Sequence, residues 1–371
     1  MLDPDGLRGV QSMRRALILA VSAAIAIKIP ALFGVAFDPD ASLFYPLNIS
    51  FFTLPFVAAY FVWERSISGV ARLLLAATFA LAAGVVNAFP FLSASANAPA
   101  QTHALAMLHL PFAMWFVVGV AFTAGRWRGS DRRMDFIRFT GEFFVHFVLV
   151  ALGGGVLVAL TFALFQAIGL DAGSLIRDWI VPCGIAGAAV IVTWLVDSKQ
   201  GAAQNMAPVL ARIFTPLFVL VLLSFIVTMA GAGRSIDARR EILIAINLLL
   251  IVVSGLLLYV ISARDPLAPP GLFDWLALSL VTSALLVDFI ALGSIGARIS
   301  QLGFTPNRLA ALGLNLVLLV NLAACAIVYA AFIRRRQPFV RLCAWQMDYL
   351  AVIAGWAAIV VFAFPALFGF V

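Results

Sequence analysis

Residues 287–313 read VDFIALGSIGARISQLGFTPNRLAALG. An aspartate, Asp288, stands inside one long apolar run, and a second apolar run begins straight after Thr305-Pro306-Asn307-Arg308. Each run is long enough for the ~20 apolar residues that a helix needs to cross hydrocarbon. Lipid offers the backbone no hydrogen-bond partners, so such runs close their bonds internally as helices. Thr305 suits a helix N-cap, and Pro306 suits the first helical position, where a missing N–H costs nothing. The stretch therefore predicts two transmembrane helices joined by a sharp turn, with one carboxyl left inside the first.

The rest of the chain repeats this pattern. Of its 371 residues, 64% are hydrophobic and 11% charged, with a mean hydropathy of +1.09. A soluble domain carries about 45–50% apolar and about 25% charged residues, so no aqueous globule accommodates this composition. Apolar runs over 16–36, 44–63, 70–92, 104–124, 142–168, 179–196, 209–232, 242–262, 273–296, 309–333 and 349–370 predict about eleven spans, within a range of ten to twelve. The fold expected is all-α, a polytopic transmembrane helical bundle. It reads as a single integral membrane domain over 1–371, because the longest connections, near 125–141 and 334–348, are too short for a soluble domain.

Arginine and lysine set the orientation, since they accumulate in cytoplasmic loops. With a cytoplasmic N-terminus, seventeen of the 24 basic residues fall inside. Six fall outside: Arg177, Arg234, Arg239, Arg240, Arg298 and Arg308. Trp63, Trp127, Trp179, Trp194, Tyr259, Trp275 and Tyr349 lie near span ends, where headgroup-level aromatics belong. The net charge of +7 does not point to nucleic acid, because the basic residues form short clusters between spans with no domain to carry a binding face. "GGGVLVAL" from Gly153 and "CGIAGAAV" with Gly184 and Gly187 supply small residues of the kind that let helix backbones approach in lipid.

Ionisable groups inside a membrane are costly and mark function by default. Lys28 and Asp288 each precede the outer end of a span by eight residues, so at 1.5 Å per residue both sit about 12 Å below that boundary. This predicts either an ion pair or shared water in an outward cavity, with snorkelling as the other reading for Lys28. Asn48, Asn87, His109, Asn247 and Asn315 lie at similar depth, as interhelical glue or as the lining of a polar pocket. Arg308 falls in the first turn of its helix, where the dipole disfavours a cation. An anionic partner is the expectation there: Asp288, a lipid phosphate or a ligand, with plain headgroup contact as the alternative. Arg298 stands on the same outer boundary.

No P-loop, HExxH or GxSxG motif is present, and His103, His109 and His146 lack metal spacing. Cys183, Cys325 and Cys343 form no CxxC pair. No catalytic residue, metal ligand or cofactor is expected. The opening "DGLRGVQS" is similar to the start of membrane O-acyltransferases, but their first-span histidine is missing, since the first histidine here is His103.

"LHLPFAMWFVVGVAF", "MDFIRFTGEFF" and the stretch from Val287 to Leu322 resemble a family of bacterial multi-pass inner-membrane proteins, described only as a domain of unknown function (the DUF4153 domain-containing type). The likeness covers most of residues 70 to 335 and implies an inner-membrane location and a helical fold. It carries no activity. The functional expectation is a permease-like transporter of a small solute or lipid without its own ATPase, with Lys28, Asp288, Asn315, His109, Arg298 and Arg308 as its polar site. The lipid bilayer is the expected partner and nucleic acid is not. A membrane scaffold or sensor subunit, and an enzyme acting on lipid, are the competing classes.

Overall fold

The computed structural model describes residues 4–37, 42–91, 99–167, 173–198, 206–231 and 240–371. Among them are eleven long helices and no strand. They are α1 (Pro4–Ala26), α2 (Phe44–Glu64), α3 (Gly69–Ala88), α4 (Gln101–Phe122), α5 (Ser130–Ala167), α6 (Val181–Ser198), α7 (Met206–Gly231), α8 (Arg240–Ala263), α9 (Leu272–Leu302), α10 (Pro306–Ile333) and α11 (Val340–Phe362). Each matches one expected span. Among the described residues ten segments are long and apolar enough to cross a membrane, and in α7 the described apolar part is the shorter Phe214–Val227. Large apolar side chains point outward along these helices, among them Leu73, Leu81, Leu157, Phe289 and Ile327. Such a surface is solvated by lipid, and the protein is a multi-pass membrane protein.

The helices form two compact units. The first comprises Met1–Arg132, Phe139–Ala203 and Val361–Val371, and the second comprises Arg133–Arg138 and Gln204–Val360. No linker in the sequence marks this division. In the first unit α1 packs along α6, and α2 packs against α4, α1 and α6. The α1–α6 contact is made by small residues: Ala16, Ala20 and Ala23 are buried on α1, and Ala186 and Ala189 on α6. A Cβ on Gly187 would lie 3.6 Å from the Ala20 carbonyl oxygen, so the two backbones are close there. Gly153, Gly154 and Gly155 behave otherwise. They are exposed, and a Cβ on any of them would meet nothing within 4 Å. Among the described residues the glycine run of α5 is therefore not a close helix contact, contrary to expectation.

In the second unit α9 is central and packs against α7, α8 and α10. Its buried face carries Ala277, Leu280, Val281, Ala284, Val287, Asp288, Ala291 and Ile295. That is the three-and-four spacing of one side of a helix. The turn into α10 forms as expected. Gly303 ends α9 at φ 74, Thr305 Oγ1 accepts from the Arg308 N–H at 3.4 Å, and Pro306 opens α10.

Two boundaries differ from the sequence reading. Helix α5 begins at Ser130, inside what reads as a loop over 125–141. The helix α1 stops at Ala26 and a short turn, Ile29–Leu32, follows with Pro30 in its first positions. Proline lacks the N–H a continuing helix needs and crowds the preceding turn. Lys28 consequently stands at a helix break and not in mid-span.

Candidate functional site

Two clusters of charged side chains stand out in the first unit. In one, the Arg65 guanidinium donates to Asp197 Oδ1 at 3.0 Å and to the Phe122 carbonyl, and lies over the Phe122 ring. Tyr60 donates to Asp197 Oδ2 at 3.1 Å, and Arg15 pairs with Glu64 at 3.2 Å. This cluster unites the start of α1 with the ends of α2, α4 and α6. In the other, Lys28 donates to the Asp178 carbonyl at 2.5 Å, with its ammonium 4.4 Å from the Phe37 ring centre and 4.2 Å from that of Trp179. Asp178 and Trp179 belong to a π-helical turn, Ile176–Ile180, that leads into α6. Lys28 is thus held by a carbonyl and two aromatic faces, all within its own unit. It neither snorkels to an open surface nor needs a carboxylate.

Other polar residues of the first unit also find partners. Asn48 and Asn87 form a reciprocal amide pair, each Nδ2 donating to the other's Oδ1, at 2.9 and 2.7 Å. His109 Nδ1 lies 2.9 Å from the Leu105 carbonyl of its own helix. The Asn48–Asn87 pair joins α2 to α3, and an interhelical bond of this kind is worth about 0.6 kcal/mol and at most about 1.7. Replacing Asn87 by Ala is expected to lower thermal stability by that amount. The double variant with Asn48→Ala should then lose less than the sum of the two single losses, and additive losses would remove the pair as a coupled unit.

In the second unit the strongest charge site is one that sequence inspection passes over. Asp274 is buried at 4% exposure in the first turn of α9. Arg264 reaches it with two donors, Nε to Oδ1 at 2.7 Å and an Nη to Oδ2 at 3.1 Å. Tyr329 donates to Oδ1 at 3.0 Å and the Gly271 N–H to Oδ2 at 2.7 Å. The guanidinium lies between Phe332 and Phe339, 4.6 and 4.4 Å from their ring centres. Every lone-pair direction of the carboxylate is used, so this is a structural clamp joining the α8–α9 connection to α10. Arg133 and Arg138 add bonds at the same end of the unit, to the Met347 carbonyl at 2.7 Å and the Ser262 carbonyl at 2.6 Å.

Arg308 corrects the electrostatic expectation. Its Nη1 donates to the Leu302 and Gly303 carbonyls at 2.7 and 2.8 Å. Although it sits at the unfavourable start of α10, it caps the end of α9, where a helix's unsatisfied carbonyls favour a cation. The turn at Gly303 makes both positions one place, and no anionic partner is required. Arg298 lies half-buried in the last three turns of α9. Arg234 and Arg239 lie outside the described residues, as does the side chain of Arg240.

Asp288 is different from all of these. Its exposure is 0%, and neither carboxyl oxygen meets a hydrogen-bond donor among the described residues. Lys28, in the first unit, has its own carbonyl and aromatic partners, and Asp288, in the second, keeps two acceptor oxygens without donors among the described residues. Its neighbour Phe289 is exposed, so α9 turns one residue to lipid and the next into the packed bundle. Asn315, also at 0% exposure, donates to Asn247 Oδ1 at 2.9 Å and to the Ala311 carbonyl, while its own Oδ1 has no donor. Among the described residues α9 and α10 thus carry three buried acceptor oxygens without donors, and Ser254 Oγ and Gln337 Oε1 of the same unit are also without a partner. Among the described residues no group of three His, Cys, Asp or Glu stands close enough to hold a metal ion.

No family model matches the chain, and no curated protein or solved structure matches it.

Proposed function

We propose that this protein is a permease-like carrier of the bacterial inner membrane, with a cytoplasmic N-terminus, that binds a cation or a donor-bearing small solute at Asp288. The observation that carries this reading is the carboxyl itself: fully buried on the central helix of the second unit, with both oxygens open. A polar group buried without a partner costs about 1–3 kcal/mol, and more if charged. Evolution retains such a cost at pathway residues more readily than in inert packing. The open Oδ1 of Asn315 adds a second acceptor on the next helix. Open acceptors suit a ligand that brings donors or positive charge. Lys28 and Arg308, already satisfied, serve the scaffold in this reading, and His109 and Arg298 are left without an assigned step.

A carrier exposes its binding residue to water during its cycle. In a chain whose three cysteines are replaced by Ala, Asp288→Cys is expected to react with a small charged thiol reagent in membrane vesicles, although the resting structure buries the position. An introduced cysteine at Arg335, on an exposed turn, is the positive control. No labelling at 288 alongside full labelling at 335 would remove the carrier reading.

The competing reading, a membrane scaffold subunit, is favoured by α5, whose span over Ser130–Ala159 has no buried residue in its most apolar window. That face is available to another protein. A scaffold keeps position 288 unlabelled and co-purifies with a partner.

A further inference from the structure

Helix α10 is followed directly by three consecutive arginines, Arg334, Arg335 and Arg336, all exposed. None of them has a carboxylate partner among the described residues. In a continuing helix, residues two apart point to nearly opposite sides. Here Arg335 takes the left-handed conformation, φ 57, so the chain reverses immediately after the helix. Such a conformation is uncommon for a residue with a side chain. Its result is that Arg334 and Arg336 line the same groove, about 400 Å³ in volume, whose other walls are Ala326, Ile327, Ala330 and Ala331. The groove is apolar along α10 and cationic at its end.

We infer that this groove holds an anionic phospholipid, with the phosphate between Arg334 and Arg336 and an acyl chain along the alanine-lined side of α10. The match is one of chemistry at each end. The small side chains of Ala326, Ala330 and Ala331 open a channel on a lipid-facing helix, bounded by the exposed Ile327. Two guanidiniums at the level where the span ends can grip a phosphate with paired N–H donors. A phospholipid is the molecule that presents a phosphate at that level with a hydrocarbon chain running inward from it. Basic pockets at the cytoplasmic ends of spans bind anionic headgroups in this way. The inference does not depend on transport. It concerns a surface of α10 and involves neither Asp288 nor Asn315.

The test uses the full chain in mild detergent, with bound lipid counted by native mass spectrometry. Wild-type protein is expected to retain phosphatidylglycerol under conditions that strip phosphatidylcholine. Replacing both arginines, Arg334→Gln with Arg336→Gln, should weaken phosphatidylglycerol binding about thirtyfold, from about 1 kcal/mol for each arginine. Ile327→Trp, at an exposed position, should weaken it by filling the groove with the charge intact. Arg126→Gln with Arg128→Gln, an equal loss of charge elsewhere, should leave binding unchanged. Equal loss in both arginine pairs, indifference to Ile327→Trp, or no preference for the anionic lipid would each overturn the inference. So would displacement by inorganic phosphate alone, which would make the arginines a site for a soluble anion.

Discussion

Asp274→Ala is expected to lower the stability of the purified protein by about 3–5 kcal/mol, the usual cost of leaving a buried charge without its partner. The Arg264 guanidinium would keep its place between Phe332 and Phe339 while losing both carboxylate contacts. Tyr329 and the Gly271 N–H would lose their acceptor at the same time. Thermal unfolding in detergent, followed by tryptophan fluorescence, reads the loss. Tyr329→Phe should cost only about 1 kcal/mol, since it removes one hydrogen bond and leaves the ion pair. Replacing both partners, Arg264→Met with Asp274→Leu, should recover much of the loss, because matched apolar residues remove the uncompensated charge. If Asp274→Ala melted with the wild type, the clamp would be a surface pair of no consequence.

The second large effect comes from shape. A Cβ placed on Gly313 would overlap the six-membered ring of Trp356, so α10 and α11 touch through a position that admits no side chain. Gly313→Ala is therefore expected to destabilise by about 1–3 kcal/mol, the cost of overpacking. The usual gain from replacing a helical glycine by alanine, about 1 kcal/mol, is outweighed. Combining Gly313→Ala with Trp356→Leu should make the alanine neutral or favourable, because the obstructing ring is gone. A Gly313→Ala protein that melts higher than wild type on its own would mean that the indole moves aside at little cost. Nearby, Asn321 donates to Gln346 at 3.2 Å and accepts from Trp345 at 3.1 Å, and these bonds hold α11 against α10 in the position that brings the ring there.

Much of the architecture is legible in the order of residues. Eleven apolar runs correspond to eleven long helices, and Gly303, Thr305 and Pro306 make the turn that their backbone preferences dictate. The partners of the polar residues are not legible in the same way. Lys28 and Asp288 read as a pair because depth along a span is all that one-dimensional counting provides, and depth says nothing about which helices are neighbours. Arg308 reads as unfavourable when its own helix is counted and the preceding one is not. Asp274 and Arg264 stand ten residues apart across a connection rich in proline. The acidic residue just inside a helix start is the available signal, since it can cap the Gly271 N–H. The proximity of Tyr329, Phe332 and Phe339, from a helix and a turn further along the chain, has no signature at all.

What the sequence alone determined is the solvent and the secondary structure: hydrocarbon around helices of membrane-spanning length, because composition and run length state directly which surface must be hidden from water. What the tertiary structure alone decided is which polar groups are satisfied. Helix packing brings Arg264 to Asp274 and Lys28 to Trp179, and leaves Asp288 facing no donor among the described residues. Hydrogen bonds and ion pairs act over a few ångströms, and in a bundle that distance is set by how helices are arranged across the membrane, which the order of residues along each of them does not encode locally.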